Sequence, residues 1–574
     1  MKSSSSKRHM LRDGFIRQDK VNYFTEGFCG YFGGPCWILF TYAVLSNYLN
    51  AYLTNIFDLS NWNPVFLSVL PFASLPLIIF GNVIAGRLLD EKKKRGGKAR
   101  PLLLLALPLT VLSLLLIFVF PPLASQASSS GIKVLALVLI ALGYVVYYGF
   151  ACPVYLTAHN ALVGLSTHNE KERSVLGIMS NLSVSAAVGL LNVVIPFCFR
   201  FIFAYETDVN VLNSLYGAGN YIYKNGYYVN NSGSILYDTV TSYRNWKIFA
   251  FILMGFDLGG TFFEYFFTRE RVSEEENLTL TGKDVRSKNK TMREEGAICC
   301  HDRYWWFLII FIFLSQFTNA MKNVSQLYYC QAFFPDDNGL YSISTGGTYS
   351  GRLSSLGVGI SLLSIFSCSL LSNRFGKRKV LTVSSLLSCG IGISGLFLQG
   401  NPDITAVLYA LKIFGTSASL YLALSFYTDV LDYEQAISGK RTDGFAMAFY
   451  SSIIASSPLL ANGTLDTVLS LTGYSNANVT GPEIRNGLAW LFFGVDGVAY
   501  LVIFFLMLFS DVGRYHSLVI EELKKQGVTF SSSKEKKSHS PNPSCHERYE
   551  EETRRKFIRA QEKTARLIEK EKPE

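Results

Sequence analysis

The sequence predicts an all-α membrane protein whose twelve transmembrane helices form two halves of six. The 574-residue chain is 49% hydrophobic and only 17% charged. Its mean hydropathy of +0.24 is high for a soluble domain of this length. Long apolar runs recur along the chain, and the loops between them alternate between basic and charge-poor sequences.

Each apolar run is long enough to cross about 30 Å of hydrocarbon as a helix, which takes about 20 residues. Six runs precede a charged central loop and six follow it. In chain order they cover residues 22–52, 64–89, 101–121, 131–157, 174–204, 245–267, 304–330, 353–373, 378–399, 405–430, 443–470 and 487–510.

These runs divide the chain into five regions. They are an N-terminal segment (1–21), an N-terminal half (22–267), a central loop (268–303), a C-terminal half (304–510) and a charged tail (511–574). The N-terminal segment is polar and basic, with no apolar stretch or cleavage site behind it, so a cleaved signal peptide is not expected. The first apolar run is then expected to direct insertion into the membrane.

The loops indicate the orientation in the membrane. The connections EKKKRGGKAR, NEKERS, NRFGKRK and SGKRTDG and the central loop are basic, and all lie on one side if the crossings alternate. The positive-inside rule assigns that side to the cytoplasm. We therefore expect both termini in the cytoplasm and, as the location, the plasma membrane.

Other features exclude several classes of protein. The ten cysteines are mostly scattered, apart from the adjacent Cys299 and Cys300, and no CxxC spacing occurs, so they are interpreted as apolar filler. No zinc-binding His/Glu pattern, nucleophile elbow or phosphate loop is present, so we expect no enzyme, cofactor or metal. The net charge of +10 lies largely in the loops, and the expected partners are the bilayer and a small solute rather than nucleic acid.

The motif TDVLDYEQAISGKRTDG at residues 428–444 carries the most specific signal in the chain. It resembles the signature of the glycoside-pentoside-hexuronide:cation symporters, the melibiose-carrier family of the major facilitator superfamily. Shorter matches support the resemblance: GKARP (97–101), NEKERS (169–174), FTRERV (267–272), RFGKRKV (374–380) and HSLVIEEL (516–523). The resemblance implies a twelve-helix transporter that moves a sugar or glycoside by alternating access.

The resemblance also implies a cytoplasmic gate. In the family, acidic residues at the end of the tenth helix meet basic residues and close the inner side. By position, Asp429 and Asp432 are the acids of this gate. Their candidate partners are Arg441, Arg374 and Arg173. An alternative is that these charges only anchor helix ends in interfacial water.

The family's charged core residues are largely missing. Ile78 and Asn82 stand where the resemblance places the two sodium-binding aspartates, and Asn181 stands where it places a sugar-binding arginine. One amide oxygen cannot supply the negative charge that a buried sodium ion needs. Sodium coupling is therefore doubtful, and the coupling candidates are Asn82 and Asp257, with a proton as the possible ion.

A different polar set lies within the apolar runs. The candidates for solute binding are Tyr148, His159, Asn160, Asn181 and Lys322. For each Asn or Tyr, an ordinary hydrogen bond between helices is an equally good explanation. Lys322 and Asp257 are ionisable, which favours a functional role, and they could pair with each other. Alternatively, Asp257 or His159 could take a proton.

Two other functions remain open at this stage. An apolar cavity without the family's sugar-binding charges would also suit a lysolipid or another amphiphile. The protein could alternatively be a non-transporting membrane sensor that kept the fold and signals through its charged tail.

Overall fold

A computed structural model gives the architecture of the chain. It describes residues 21–57, 59, 63–90, 97–123, 130–167, 170–216, 221–224, 227–230, 236–271, 296, 299–337, 339–438, 443–474, 479–510, 515, 518–519, 521–522 and 554–564. Most of the N-terminal segment, the central loop and the tail therefore lies outside the described residues, and the limits of the five regions stay a prediction.

Twelve long helices run through the described part of the chain, as the apolar runs predict. They are α1 (Tyr23–Gly33 continued by Gly34–Asn55), α2 (Pro64–Asp90), α3 (Arg100–Leu114 with Leu115–Val119), α4 (Ser130–Val146, Tyr147–Ala151 and Cys152–Ser166), α5 (Glu170–Ile202), α6 (Thr239–Phe267), α7 (Arg303–Phe333), α8 (Ile343–Phe375), α9 (Lys377–Phe397), α10 (Pro402–Ser438), α11 (Asp443–Leu471) and α12 (Pro482–Ala489, Trp490–Gly494 and Val495–Phe509). Ten of them are long and apolar enough to span a membrane, and α5 contains a shorter apolar stretch, Val175–Leu191.

The start of α8 differs from the hydropathy pattern. The apolar run begins near residue 353, whereas the helix begins at Ile343. Its first turns are rich in Ser, Thr and Gly, which hide a helix from a hydropathy scan. The Ser342 hydroxyl accepts a hydrogen bond from the Thr345 amide and caps the helix.

The two ends of the bundle are distinguished by what they carry. The end that we call the hairpin side carries a short helix, Val209–Tyr216, and the antiparallel strands β1 (Tyr221–Lys224) and β2 (Tyr227–Asn230). The opposite end, the tail side, carries residues 554–564 of the tail, which are helical. Both the hairpin and the tail helix lie outside the membrane-spanning bundle.

The two halves meet along two pairs of helices. Helix α2 packs along α11, and α5 packs along α8. The N-terminal half has one large apolar core, to which Leu327, Ile343, Ala455 and Leu459 of the other half contribute. Large apolar side chains such as Phe80 and Phe397 are exposed on the outside of the bundle, where a bilayer would cover them. Together, these features describe a helical membrane bundle that consists of two halves.

Candidate functional site

Close packing of α1 on α6 sets up the polar interior of the N-terminal half. A Cβ atom on Gly34 would lie 2.7 Å from the Glu264 amide nitrogen, and one on Gly260 would lie 2.7 Å from the Gly34 carbonyl oxygen. Glycine at both positions lets the two helices approach. This approach places the α6 acids Asp257 and Glu264 against the interior of their half.

Several buried polar groups of this half lack a hydrogen-bond partner among the described residues, and three of them are oxygen-bearing groups on α1, α4 and α6. They are the Thr41 hydroxyl of α1, the Tyr148 hydroxyl of α4 and both carboxyl oxygens of Asp257. Thr41 lies beside Asp257, and Tyr148 lies beside Tyr42 of α1. We call these three residues the open polar cluster, because buried groups of this kind are normally satisfied by a ligand or by water.

A second group of residues in the same half is fully connected. Glu264 accepts a hydrogen bond from the Tyr155 hydroxyl (2.9 Å) and lies 2.7 Å from His159 Nδ1. The other ring nitrogen of His159 lies 2.6 Å from the Ser180 hydroxyl. This Glu264 network joins α6, α4 and α5 through hydrogen bonds between side chains.

The C-terminal half buries an ion pair instead. Lys412 of α10 pairs with Asp496 of α12 and donates a hydrogen bond to the Phe492 carbonyl. Lys322 of α7 is half-buried, lies close to this pair and donates to Asn319 Oδ1 (3.1 Å). Two lysines therefore lie near one carboxyl group.

Polar contacts join the two halves near the hairpin side. The Asn50 amide of α1 donates to Asn462 Oδ1 (3.0 Å) and to Asp466 Oδ1 (2.8 Å) of α11. The Asn462 amide donates back to the Ser46 carbonyl (3.0 Å). These residues are buried, so they hold α1 against α11. We call this set of contacts the hairpin-side seal.

Further contacts extend the closure of this end. The Thr54 hydroxyl of α1 lies 2.9 Å from the Tyr328 hydroxyl of α7. The Ile343 amide at the start of α8 donates to the Tyr237 hydroxyl (2.7 Å). Val229 of β2 packs on Leu340, which precedes α8. These contacts close the bundle at its hairpin side.

The tail side carries ion pairs within each half. The Arg271 guanidinium donates to both carboxyl oxygens of Glu26, at 2.5 and 2.9 Å. Glu270 accepts hydrogen bonds from the Lys98, Ala99 and Arg100 amides at 2.7 to 3.0 Å, and so caps α3. The motif FTRERV thus fixes the ends of α1, α3 and α6 relative to one another.

The gate acid predicted at Asp429 pairs with a lysine that was not among its predicted partners. Both carboxyl oxygens of Asp429 accept hydrogen bonds from Lys377, each at 2.8 Å, within the C-terminal half. Arg374, three residues before Lys377, is exposed and lies over the Phe375 ring. Asp432 is half-buried one turn further along α10. Arg441 and the Arg173 side chain lie outside the described residues, so the gate stays a prediction.

The other predicted site residues fall into different surroundings. Tyr148 belongs to the open polar cluster and His159 to the Glu264 network, whereas Asn160 is exposed. The Asn181 side chain lies outside the described residues. The Asn82 amide donates to the Ile78 carbonyl of its own helix (3.0 Å).

One expected contact is wrong in this structure. Lys322 donates to Asn319 and lies near Lys412 and Asp496, whereas the Asp257 carboxyl oxygens have no hydrogen-bond partner among the described residues. The two groups belong to different halves, and each is surrounded by its own half's helices. Sequence gives no distance between charges on α6 and α7, so the pairing could not be tested there.

Among the described residues of the apolar runs, four buried acidic or basic residues escaped the sequence interpretation. They are Glu264, Lys412, Asp466 and Asp496. Each lies within an apolar run, where a charge is rare and commonly functional. Surveying every charged residue within the apolar runs would have found all four without the structure.

The architecture and these sites define the class of protein. Two six-helix halves that meet along α2–α11 and α5–α8, closed on one side, form a bundle of the major facilitator type. The chain belongs to the MFS/sugar transport protein family, whose model matches residues 30–514. It is a multi-pass membrane transporter that moves a solute by alternating access and is not an enzyme, which confirms the predicted fold class and general function.

Solved structures support the fold at low sequence identity. The nucleoside transporter NupG matches with a TM-score of 0.51 and 13% identity, over 85% of this chain and 99% of that one. A D-xylose-proton symporter matches with a TM-score of 0.50 and 13% identity, over 84% and 97%. A bacterial homologue of the human lysosomal transporter Spinster, inward-facing and unoccupied, matches with a TM-score of 0.50 and 12% identity, over 89% and 98%. These likenesses show the shared fold alone.

A search of curated proteins gives no significant match.

Proposed function

We propose that the protein is a proton-coupled transporter of a sugar or glycoside. In this proposal it lies in the plasma membrane, with its tail side and both termini in the cytoplasm. The observation that carries the proposal is the open polar cluster. Thr41, Tyr148 and Asp257 offer two hydroxyls and a carboxyl, all buried and all without a partner among the described residues.

A sugar suits this cluster chemically. Its hydroxyls both donate and accept hydrogen bonds, so they can satisfy hydroxyl and carboxyl groups such as those of Thr41, Tyr148 and Asp257. An unsatisfied buried polar group costs about 1–3 kcal/mol, which a bound hydroxyl would recover. The alkyl tail of a lysolipid would leave all three groups unpaired.

The carboxyl of Asp257 also supports the coupling ion that we propose. Its side chain is 1% exposed, and a carboxylate charge at this depth must be neutralised by a proton or by a bound cation. The family's sodium site offers no charge here, because Ile78 is apolar and the Asn82 amide is bonded within α2. A proton needs no further ligands, so it is the simpler ion. The Glu264 network provides a second proton acceptor in the same half.

The test is uptake of labelled sugars into proteoliposomes that hold the purified full-length protein. An imposed pH gradient should drive accumulation of at least one sugar or glycoside, and a sodium gradient of equal size at constant pH should not. Asp257→Asn should abolish accumulation while leaving exchange of solute between the two sides. Accumulation driven only by sodium would contradict proton coupling. Uptake confined to lysolipids would contradict the sugar assignment.

A paired substitution tests the solute contact. Tyr148→Phe removes one hydroxyl of the open polar cluster and should raise the apparent KM about fivefold, since one hydrogen bond is worth about 1 kcal/mol. Tyr52→Phe is the matched control, because Tyr52 is a buried tyrosine of the same half whose hydroxyl faces the Ile117 carbonyl at 3.5 Å. Equal KM values in the two variants would exclude Tyr148 from the solute site.

A further inference from the structure

A cavity of about 390 Å³ lies on the tail side, outside the membrane-spanning bundle. The start of α7, the end of α10, Tyr515 and the tail helix of residues 554–564 form its walls. This volume falls within the range of small-ligand sites, about 300–1,000 Å³. The cavity is separate from the open polar cluster, and solute transport by itself does not account for it.

The tail helix is held in place by one face. Phe557 is buried, and its ring lies 6.2 Å from Tyr515 and 6.1 Å from Tyr433 of α10. One turn further along, the Gln561 amide donates to the Ala436 carbonyl (3.1 Å). This docking fixes the rotation of the helix. Lys556, Arg559 and Lys563, spaced by three and four residues, therefore line the cavity together.

The lining carries more positive than negative charge. Arg303 adds a fourth cation from the start of α7, whereas the acids of the lining are Asp302 and Glu434. One carboxyl oxygen of Asp302 is already used, because it caps α7 by accepting a hydrogen bond from the Tyr304 amide (3.1 Å). Arg559 and Lys563 are exposed and make no hydrogen bond or ion pair within the described part of the chain. They are available to a ligand.

We propose that this tail-side cavity binds a phosphorylated anion, with Arg559 and Lys563 as its principal contacts. A phosphoryl group carries up to two negative charges and three acceptor oxygens, which matches several cations converging from two elements. A soluble phosphate ester and the phosphate of a lipid headgroup share this chemistry. Binding would also hold the tail helix against α10, whose Tyr433 and Glu434 directly follow the gate acid Asp432.

Binding is tested with inorganic pyrophosphate on the purified full-length protein in a neutral detergent, by isothermal titration calorimetry. The expected result is saturable binding that weakens as salt is raised. The double variant Arg559→Gln with Lys563→Gln should weaken binding about tenfold, because two ionic contacts are lost. The matched control, Arg554→Gln with Lys379→Gln, removes the same charge from exposed positions outside the cavity and should bind like the wild type.

A second arm distinguishes the two sources of phosphate. The same proteins are placed in nanodiscs of pure phosphatidylcholine or of phosphatidylcholine with phosphatidylglycerol, and thermal unfolding is measured. Stabilisation by phosphatidylglycerol that the Arg559/Lys563 variant loses would identify a lipid headgroup. Pyrophosphate binding without a lipid effect would identify a soluble ester.

Two results would overturn the proposal. One is the absence of both pyrophosphate binding and lipid stabilisation in the wild type. The other is an equal response in the wild type and in the Arg559/Lys563 variant, because the anion would then bind elsewhere. Phe557→Ala gives an independent check: it releases the tail helix without removing a charge, and it should weaken binding as well.

Discussion

Deep in the N-terminal half lie two acids, Asp257 and Glu264, whereas deep in the C-terminal half Lys412 and Asp496 form an ion pair with Lys322 beside it. Asp257 has no hydrogen-bond partner among the described residues, and Glu264 is bonded to a tyrosine and a histidine. The Lys412–Asp496 pair is already neutral. The comparison indicates that the N-terminal half is suited to carrying a proton, and the C-terminal half to keeping a fixed structure.

The largest loss of stability is expected from breaking the buried Lys412–Asp496 ion pair. Asp496→Asn leaves the Lys412 charge uncompensated, and losing one partner of a buried pair costs about 3–5 kcal/mol. Thermal unfolding in detergent should show the loss. The double variant Lys412→Met with Asp496→Asn should recover most of the stability, because it buries no charge. If the double variant is as unstable as the single one, the charge of Lys412 is not the cause.

Glu264→Gln should impair coupling rather than folding. A pH difference of two units can drive about 100-fold accumulation, since one unit is worth 1.36 kcal/mol. We expect Glu264→Gln to lower accumulation in proteoliposomes severalfold or more, while solute exchange persists. Glu206→Gln is the control, because Glu206 is a buried acid outside the bundle that accepts hydrogen bonds from the Thr207 and Asp208 amides. Full accumulation by the Glu264 variant would show that Glu264 is not needed for coupling.

The hairpin-side seal joins the two halves, so weakening it should shift the balance between conformations. Asn462→Ala removes hydrogen bonds worth about 0.6–1.7 kcal/mol, which corresponds to a shift of about 3- to 20-fold toward the open state. Cys330 is fully buried near the hairpin end of α7 and lies close to Tyr48 of α1 in the other half, so its accessibility reports opening.

The measurement is the rate at which an impermeant maleimide labels Cys330, in a background where the other cysteines are replaced. Asn210→Ala, an exposed change on the same side, serves as the control. Equal labelling rates in the two variants would show that the seal does not limit opening.

Asp429→Asn should have a small effect on stability, in contrast to Asp496→Asn. Asp429 and Lys377 are 34% and 37% exposed, so water screens their pair. Pairs of this kind contribute about 0.2–1 kcal/mol. A double-mutant cycle with Lys377→Gln, followed by thermal unfolding, measures the coupling. A coupling above about 2 kcal/mol would show that the pair is shielded and would favour its role in the gate.

The tail-side cavity is lined by more basic than acidic residues, and its affinity for an anion should depend on pH. Burial raises the pKa of the Asp302 carboxyl from its ordinary value of 3.8 to about 6. Asp302 therefore loses its charge as the pH falls through about 6, and an anion should bind more tightly at pH 5.5 than at pH 7.5. The gain should be about threefold, from one charge about 6 Å away in water.

Sulfate is the suitable probe, because its own charge does not change between these pH values. The other charged groups of the lining are His301, Arg303, Glu434, Lys556, Arg559 and Lys563. His301→Gln removes the histidine's contribution, and in that background Asp302→Asn should bind tightly at pH 7.5 and lose the pH effect. If the Asp302 variant keeps the same pH effect, another group of the lining is responsible.

Several residues of the candidate site could be predicted from residue type and position in the sequence. Tyr148, His159, Asp257 and Lys322 are polar or ionisable residues within apolar runs, and membrane burial makes such groups conspicuous. Their partners could not be read in the same way. His159 of α4 hydrogen-bonds Glu264 of α6, more than 100 residues away, because the fold brings these two helices together. Asp429 hydrogen-bonds Lys377, whereas Arg374, one of the three candidate partners of the gate acids, lies before the turn at Gly376 and is exposed.

The sequence by itself determined the number of long helices, the plan of two six-helix halves and the superfamily. Polar backbone groups and charges are costly in hydrocarbon, so a membrane-spanning segment must be apolar. Each segment shows this property in its own residues, and the sequence therefore reveals it. Only the tertiary structure decided which charges neutralise one another, which side of the bundle is closed and where the tail helix docks. Those outcomes depend on the packing of helices that lie far apart in the chain, and a local pattern carries no information about such distances.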